Sequence, residues 1–489
     1  MRADPLDRLA ALNVPGASVS EGYQLDIGSD VEIAGRVRED LERCYGDIIQ
    51  TEGRFWRHEQ TCWKAIPDHE LRIAVHAYDG AAFRSPSGEP SRVKLSRSRI
   101  DSALNELAAL VSASEFFADA AIGINCTNGF IRFDPQGVAR IEPHHREHRC
   151  RHTLAGCWEA GKPSKPIEGS LLARLLGGIF RGDDDAGEKI DLLAEVAGSA
   201  ALGHATRLRQ PRAVVLKGET AENGKSQVLD LMRGVLPKSA IASVTASRMG
   251  DERHIVGLVG KLLNASDELS SSSAIASDTF KAIVTGEPVQ GRDVYKSRIE
   301  FRPLAQHIFA TNTLPVFQGG MDRGVQRRLL VIGFNRVIPC EERVEAIGRR
   351  IGEEEPDQLL AWAVGGASRL IRQKGFTLPP TSKTAMNDWL FGADPVLAWL
   401  AERVRSRQIV DQSPRIATRL AFDEFRDWAL SEGFAERTLP SINAFVQRVT
   451  ANAAGVEYRR RRDGRFFIGM VLSRNASHLA DGDGEVTHG

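Results

Sequence analysis

Hydrophobic positions recur at two different spacings along the chain, and the changes between them divide it into elements. From residue 30, VEIAGRVREDLERCYGD puts Ile33, Val37, Leu41 and Cys44 on one face of a helix. In GRFWRHEQTCWKAIPD, Trp56 and Trp63 flank a polar centre, the pattern of a β-hairpin. Residues 98–122 read as another helix, and NGFIRFDPQGVARI (128–141) as a second hairpin turning at 135–137. Residues 1–165 therefore read as one α+β domain. Residues 169–209 are helical, interrupted by Gly177, Gly178 and an acidic turn at 183–185. Residues 212–340 alternate short apolar strands with helices, which predicts an α/β unit with a parallel sheet and crossovers. Residues 341–395 are mostly helical, broken at Pro379 and Pro380, and residues 396–475 hold helices followed by a basic hairpin. The first thirty residues read as a loose leader, and the Gly- and Asp-rich stretch 476–489 as a disordered tail.

Composition narrows the class. A chain of 489 residues suggests about three domains. Hydrophobic residues at 42% and charged residues at 26% argue against wholesale disorder. Lys plus Arg (64) balance Asp plus Glu (64), which excludes a uniformly basic DNA-coating protein but leaves room for a local basic channel. Six irregularly spaced cysteines are no disulfide framework and fit a reducing compartment. The opening MRADPLDRLAALNVPG has charges throughout and reads as no secretory leader, and no apolar run approaches the ~18 residues of a membrane span. A soluble intracellular protein without a membrane partner is the expectation.

The most informative segment is AVVLKGETAENGKSQVLDLMRGVLP (213–237). Residues 213–216 form a short apolar strand, and Val228, Leu231, Met232 and Val235 recur at helical spacing. Between them lies a loop bounded by Gly218 and Gly224 and ending Lys225-Ser226. Strand, glycine loop, Lys-Ser and helix form the context of a phosphate-binding loop, whose backbone N–H groups and helix N-terminus favour anions. Lys225 would bridge the β- and γ-phosphates, and the Ser226 hydroxyl would ligate Mg²⁺. Gly218, Glu222, Asn223, Gly224 and Gln227 complete the candidate ATP-binding set. Five residues separate Gly218 from Gly224, one more than the usual four.

Hydrolysis also needs carboxylates. GKLLNASDELS (260–270) ends a short strand in Asp267, a candidate metal ligand, and Glu268, a candidate general base. A third strand, HIFATNTLP (307–315), ends at Asn312, suited to orienting the attacking water. Forty-two positions separate Lys225 from Asp267 and forty-five separate Asp267 from Asn312, room for one crossover each.

This order of motifs resembles the superfamily 3 helicases, and among them the primase-helicase proteins of phages, plasmids and large DNA viruses. FKAIVTGEPVQGRDVYKSRIEFRP (280–303) adds Lys281, Thr285, Gly286, Glu287, Arg292, Lys296, Phe301 and Pro303, with Glu287 where the family usually has Asp. The pattern covers about residues 213–339. The resemblance implies a P-loop NTPase (AAA+/superfamily 3) core at 211–340, a helical collar at 166–210, a helical lid at 341–395 and a winged-helix-like domain at 396–475. It implies ATP and Mg²⁺ as cofactors, a homo-hexameric ring, 3′→5′ translocation on single-stranded DNA, forked DNA as substrate, and a place in a bacterial host's cytoplasm. A separate primase or polymerase is an expected partner, since no second acidic cluster supports primase chemistry within this chain. In GGMDRGVQRRLLVIGF (319–334) it places an arginine finger acting on a neighbouring subunit, Arg327 as first choice and Arg328 as second.

DNA contacts are expected from Lys281, Arg292, Tyr295, Lys296 and Arg298 in the basic hairpin. A second set, Arg459, Arg460, Arg461 and Arg462, lies in EYRRRRDGRFFIGMVL (457–472). EPHHREHRCRHTLAGC (142–157) lacks paired-cysteine metal spacing and is expected to be a polar strand rather than a zinc site. The main expectation is an ATP-driven DNA helicase. The alternative is an ATP-dependent origin-binding initiator or packaging module that does not unwind. A small-molecule kinase shares the loop but leaves the basic hairpin and paired arginines unexplained.

Overall fold

The computed structural model describes residues 24–85, 87–267, 274–292, 298–318, 321–406, 414–434, 436 and 439–473. The expected leader and the tail at 476–489 lie almost wholly or wholly outside these. The described residues form two compact units. The first extends to Pro315 and includes Arg327–Thr381; the second combines Val316–Gln326 with the residues from Ser382 onward.

The first unit is mixed α/β, built around a five-stranded parallel sheet. Its strands are β1 (Ala213–Lys217), β2 (Ile241–Ala242), β3 (Leu263–Ser266), β4 (Gln306–Thr311) and β5 (Leu329–Gly333), in the order β2-β3-β4-β1-β5. Every neighbouring pair is parallel. All residues of β3 and β4 and the first four of β1 are buried, as in a sheet covered on both faces.

Asn264, Ser266, Gln306, His307 and Thr311 interrupt that apolar interior. Asn264 donates to Val244 O at 2.8 Å and accepts from Val244 N at 2.7 Å. Its amide also donates to Nδ1 of His307, its cross-strand partner, at 3.2 Å. That contact leaves the His307 proton on Nε2, a buried atom without a partner among the described residues. Gln306 accepts from Ser199 Oγ and donates to Arg212 O.

Helices α1 (Leu171–Ile179), α2 (Ala186–Leu202), α3 (Lys225–Gly234), α4 (Ser277–Thr285), α5 (Ile347–Glu354) and α6 (Pro356–Gln373) accompany the sheet. Helix α3 follows the glycine loop, and α5 packs directly against it. A Cβ on Gly348 of α5 would stand 2.0 Å from Gln227 O. Gln227 Oε1 in turn accepts from Gly348 N at 3.1 Å. Buried Glu195 on α2 accepts from Arg369 and Gln373 of α6 and from Thr377.

Ahead of the sheet, Asp30–Tyr45 is helical with Ile33, Val37 and Leu41 buried. The Trp56 and Trp63 hairpin forms from Arg54–Glu59 and Cys62–Ala65. Gly129–Phe133 pairs with Ala139–Glu142 in the second hairpin, and Asp134 caps the turn through Gln136 N and Val138 N.

Two expectations need correction. The helix expected over 98–122 is Arg97–Leu110. Backbone bonds between Gln50 and both Val111 and Ala113 pull the chain beside the strand Ile48–Thr51. Phe116 and Phe117 then pack edge-on to Trp63 and Trp56, each with centroids 4.9 Å apart. Tertiary packing overrides helical spacing there. The expected polar strand at 142–157 stops at Glu142 and gives way to the short 3-10 turn Arg146–His148. The His148 ring stacks on Phe130 at 4.0 Å and pairs with Glu142 at 2.9 Å, which curls the chain.

The second unit contains helices Pro395–Arg403, Thr418–Ser431 and Ile442–Asn452 over a three-stranded sheet. In that sheet Gly464–Ile468 lies between Arg415–Ala417 and Glu457–Arg461. Trp399, Phe425, Phe445 and Phe467 form its aromatic core.

Two outcomes follow from this packing. Gly348→Ala should lower stability by about 1–3 kcal/mol, because neither helix backbone can yield freely. Urea denaturation should show a reduced midpoint with unchanged slope. Burial also pushes His152, His204 and His307 down to about 4. Their contribution is full above the unfolded value near ~6.5 and is lost as pH falls towards about 4. Urea midpoints should therefore drop between pH 7.5 and 5, and His307→Asn should flatten that drop.

Candidate functional site

The glycine loop begins where β1 ends. Lys217 pairs with Thr311 of β4, and Gly218 N donates to Thr311 O at 3.2 Å, so the loop and Asn312 leave adjacent strands side by side. On the other flank of β4, Ser266 pairs with Phe309, which sets Asp267 level with Ala310. Neighbouring strands lie ~4.8 Å apart, so the three tips span roughly 10 Å along one sheet edge. They border a cleft of about 670 Å³ lined by residues 220–227, Asp267 and residues 310–313. Lys225, Ser226, Asp267 and Asn312 are thus together. Glu268 lies outside the described residues.

Within the cleft, Ser226 and Asn312 are exposed, whereas Lys225 is buried. Lys225 Nζ donates to Gly218 O at 2.9 Å, Thr220 O at 3.4 Å and Asn223 Oδ1 at 3.1 Å. Burial lowers its pKa below the usual lysine value. Asn223 is buried too and donates to Thr220 O at 2.7 Å. This closeness requires glycine at 218, where a Cβ would stand 2.2 Å from Asn223 Nδ2 and 2.8 Å from Lys225 Nζ. Gly224, in the left-handed region at φ +89°, caps α3.

One non-glycine residue of the loop departs from ordinary backbone geometry. Glu222 takes a left-handed φ of +62°. Its carboxylate receives both terminal nitrogens of Arg343 at 2.6 Å.

Sequence reasoning missed Arg343 and also Arg233. Arg233, in the last turn of α3, donates to Asp267 Oδ2 at 2.8 Å and Asp230 Oδ1 at 3.0 Å. Burial works against its charge, but the two carboxylates outweigh burial and raise its pKa above the usual arginine value. The i, i+3 spacing of Asp230 and Arg233 was the available signal; nothing in the spacing joins Arg233 to Asp267 or Arg343 to Glu222.

A second cavity, about 680 Å³, shares Glu222, Gly224 and Gln227 with the cleft. Leu175, Ile338, Val344 and Ile347 give it apolar walls, and Arg174 and Arg343 supply cations.

Arg327 and Arg328 lie at the other end of the sheet. They precede β5, whose Leu329 pairs with Ala213 at the start of β1. Five residues of β1 at ~3.3 Å each put them roughly 16 Å from the strand tips. Arg327 is exposed and Arg328 is buried, its carbonyl accepting from Ala213 N at 2.8 Å.

Val289–Arg292 and Arg298–Phe301 of the basic hairpin pair antiparallel, with Arg292 opposite Arg298. Tyr295 and Lys296 lie outside the described residues. Arg298 pairs with Glu252 at 3.2 Å and Lys281 with Asp278 at 2.8 Å. In the second unit Arg459, Arg460, Arg461 and Arg462 are all exposed. Arg459 pairs with Glu457, while Arg460 faces Arg465 directly across the strands, a like-charge pairing that is unfavourable without an anion.

Among the described residues no cluster of His, Cys, Asp and Glu has the arrangement of a metal centre. No helix among them is long and apolar enough to cross a membrane.

Residues 216–328 match the model of a family described as "Family of unknown function (DUF5906)". No curated protein matches significantly. Solved structures with similarity include "The A form apo structure of NrS-1 C terminal region-CTR", at 15% identity and a TM-score of 0.34, covering 66% of this chain and 86% of that one. "The apo structure of NrS-1 C terminal region (305-718)" is similar at 13% identity and a TM-score of 0.34, covering 72% and 95%.

Proposed function

We propose that this chain is an ATP-dependent DNA helicase of the superfamily 3 type, acting as a ring in replication of a phage or mobile element. One observation supports this reading above the others: Lys225, Ser226, Asp267 and Asn312 meet at the carboxyl edge of three adjacent parallel strands. A crevice outside the carboxyl ends of an open parallel sheet is the general ligand position in such folds. The motif order across 213–339 supplies the chemistry, and the second cavity suits the nucleoside, with apolar walls for a base.

In this reading Lys225 exchanges its loop oxygens for the β- and γ-phosphates. Ser226, through its hydroxyl, and Asp267 are the residues that would hold Mg²⁺. When bound, the metal neutralises charge developing on the phosphates. Arg233, bound to one oxygen of Asp267, fixes that carboxylate's direction. Glu268 takes the proton from the attacking water, and Asn312 orients that water. Arg327, exposed at the opposite sheet edge, serves the cleft of the next subunit. Buried Arg328 belongs to its own chain's interior. Lys281, Arg292, Tyr295, Lys296 and Arg298 follow a single-stranded backbone, and the exposed arginines at 459–462 grip duplex DNA at the fork.

Lys225→Ala should fold as the wild type and lose at least ~100-fold in ATPase rate, as read by phosphate release. Equal hydrolysis by that variant overturns the site assignment. Arg327→Ala should be inactive alone but support hydrolysis when mixed with Lys225→Ala, because each supplies what the other lacks. Strand displacement on forked DNA, abolished by Lys296→Ala with ATPase retained, supports a helicase. ATP-dependent oligomers without unwinding favour an initiator or packaging module instead.

A further inference from the structure

The loop is held shut from outside. Ile338 N donates to Glu222 O at 3.0 Å, and Arg343 Nε donates to Ile338 O at 2.8 Å. Both terminal nitrogens of Arg343 reach the Glu222 carboxylate at 2.6 Å. Glu222 is therefore gripped by backbone and side chain at once. Its left-handed φ of +62° is unfavourable for a residue with a Cβ, so the grip sustains a conformation the loop alone resists. Inside, the carbonyls of Gly218 and Thr220 point at Lys225 Nζ. A phosphate needs the opposite: N–H groups pointing inward and a lysine free to reach it.

We propose that Glu222 and Arg343 are positioning residues that hold the phosphate loop in this self-satisfied state and so set the nucleotide affinity of the cleft. The proposal rests on the reading of the cleft as a nucleotide site. Phosphate entry requires the loop peptides to turn, Lys225 to leave its carbonyls, and the Glu222–Arg343 pair to part. The pair is half-exposed, with side chains 55% and 36% accessible, so its effect is modest and sensitive to salt.

The test measures MgATP binding to the full chain by titration calorimetry. Glu222→Gln and Arg343→Gln should each bind about three- to fivefold more tightly than wild type, with kcat changed less than KM. The gap from wild type should narrow as salt rises. The charge-exchanged double variant, Glu222→Arg with Arg343→Glu, should return to within about twofold of wild type, which loss of packing alone would not achieve. Glu222→Gly removes the carboxylate and relieves the backbone together, and serves if either glutamine variant fails to fold. Wild type that binds MgATP while the single variants bind equally or more weakly overturns the latch alone. Wild type that binds no MgATP overturns the nucleotide reading and the latch with it.

Discussion

Parallel pairing of β3, β4 and β1 is the constraint on which the rest of the first unit depends. Parallel strands deliver their carboxyl ends to one edge, and the register sets how far each tip projects. Ser266 opposite Phe309 and Thr311 opposite Lys217 leave Asp267, Asn312 and Gly218 within reach of a single small ligand. The sheet is buried on both faces, so a one-residue slip would turn apolar side chains against the wrong layer. Its interior polar groups reinforce the register: Asn264 meets His307 across β3 and β4, and Gln306 ties β4 to Ser199 of α2 and to the chain just before β1. Helix α5 completes the frame through Gly348, whose backbone meets Gln227 directly behind the loop.

Much of this was legible because the signals were local. Continuous apolar runs marked β1 and β4, and Gly-Lys-Ser marked the start of α3. Trp56 and Trp63 marked a hairpin, and the turn at 135–137 marked its successor. What escaped the sequence was long-range. The helix from Arg97 stops at Leu110 because Val111 and Ala113 bond Gln50, some sixty residues earlier. His148 leaves strand geometry because Phe130 offers it a ring to stack on. Arg233 and Arg343 look like ordinary helix-end and surface cations in one dimension. Their partners, Asp267 and Glu222, are supplied by chain folding back over 34 and 121 positions.

The charged groups around the cleft have partners among the protein's own atoms. Lys225 is satisfied by loop oxygens, one oxygen of Asp267 by Arg233, and Glu222 by Arg343. Lys225 is the buried member of this set, while the Arg233–Asp267 and Arg343–Glu222 pairs are partly exposed. Without its loop oxygens Lys225 would be a buried, poorly solvated ammonium, which is costly, whereas the partly exposed pairs contribute little. In the proposed nucleotide reading, a phosphate at Lys225 would therefore replace partners rather than add to them.

The position of Arg327 carries the synthesis a step further. An arginine side chain reaches only a fraction of the roughly 16 Å of strand that separates it from its own cleft. Its neighbour Arg328 is buried and bonded through its backbone to the first residue of β1, so the end of β5 cannot swing round to the other edge. If Arg327 acts on phosphate, it must act on another copy of the chain. Catalysis and assembly then become one requirement: a lone chain would hold Lys225, Ser226, Asp267 and Asn312 in place and still lack the charge that stabilises the transition state.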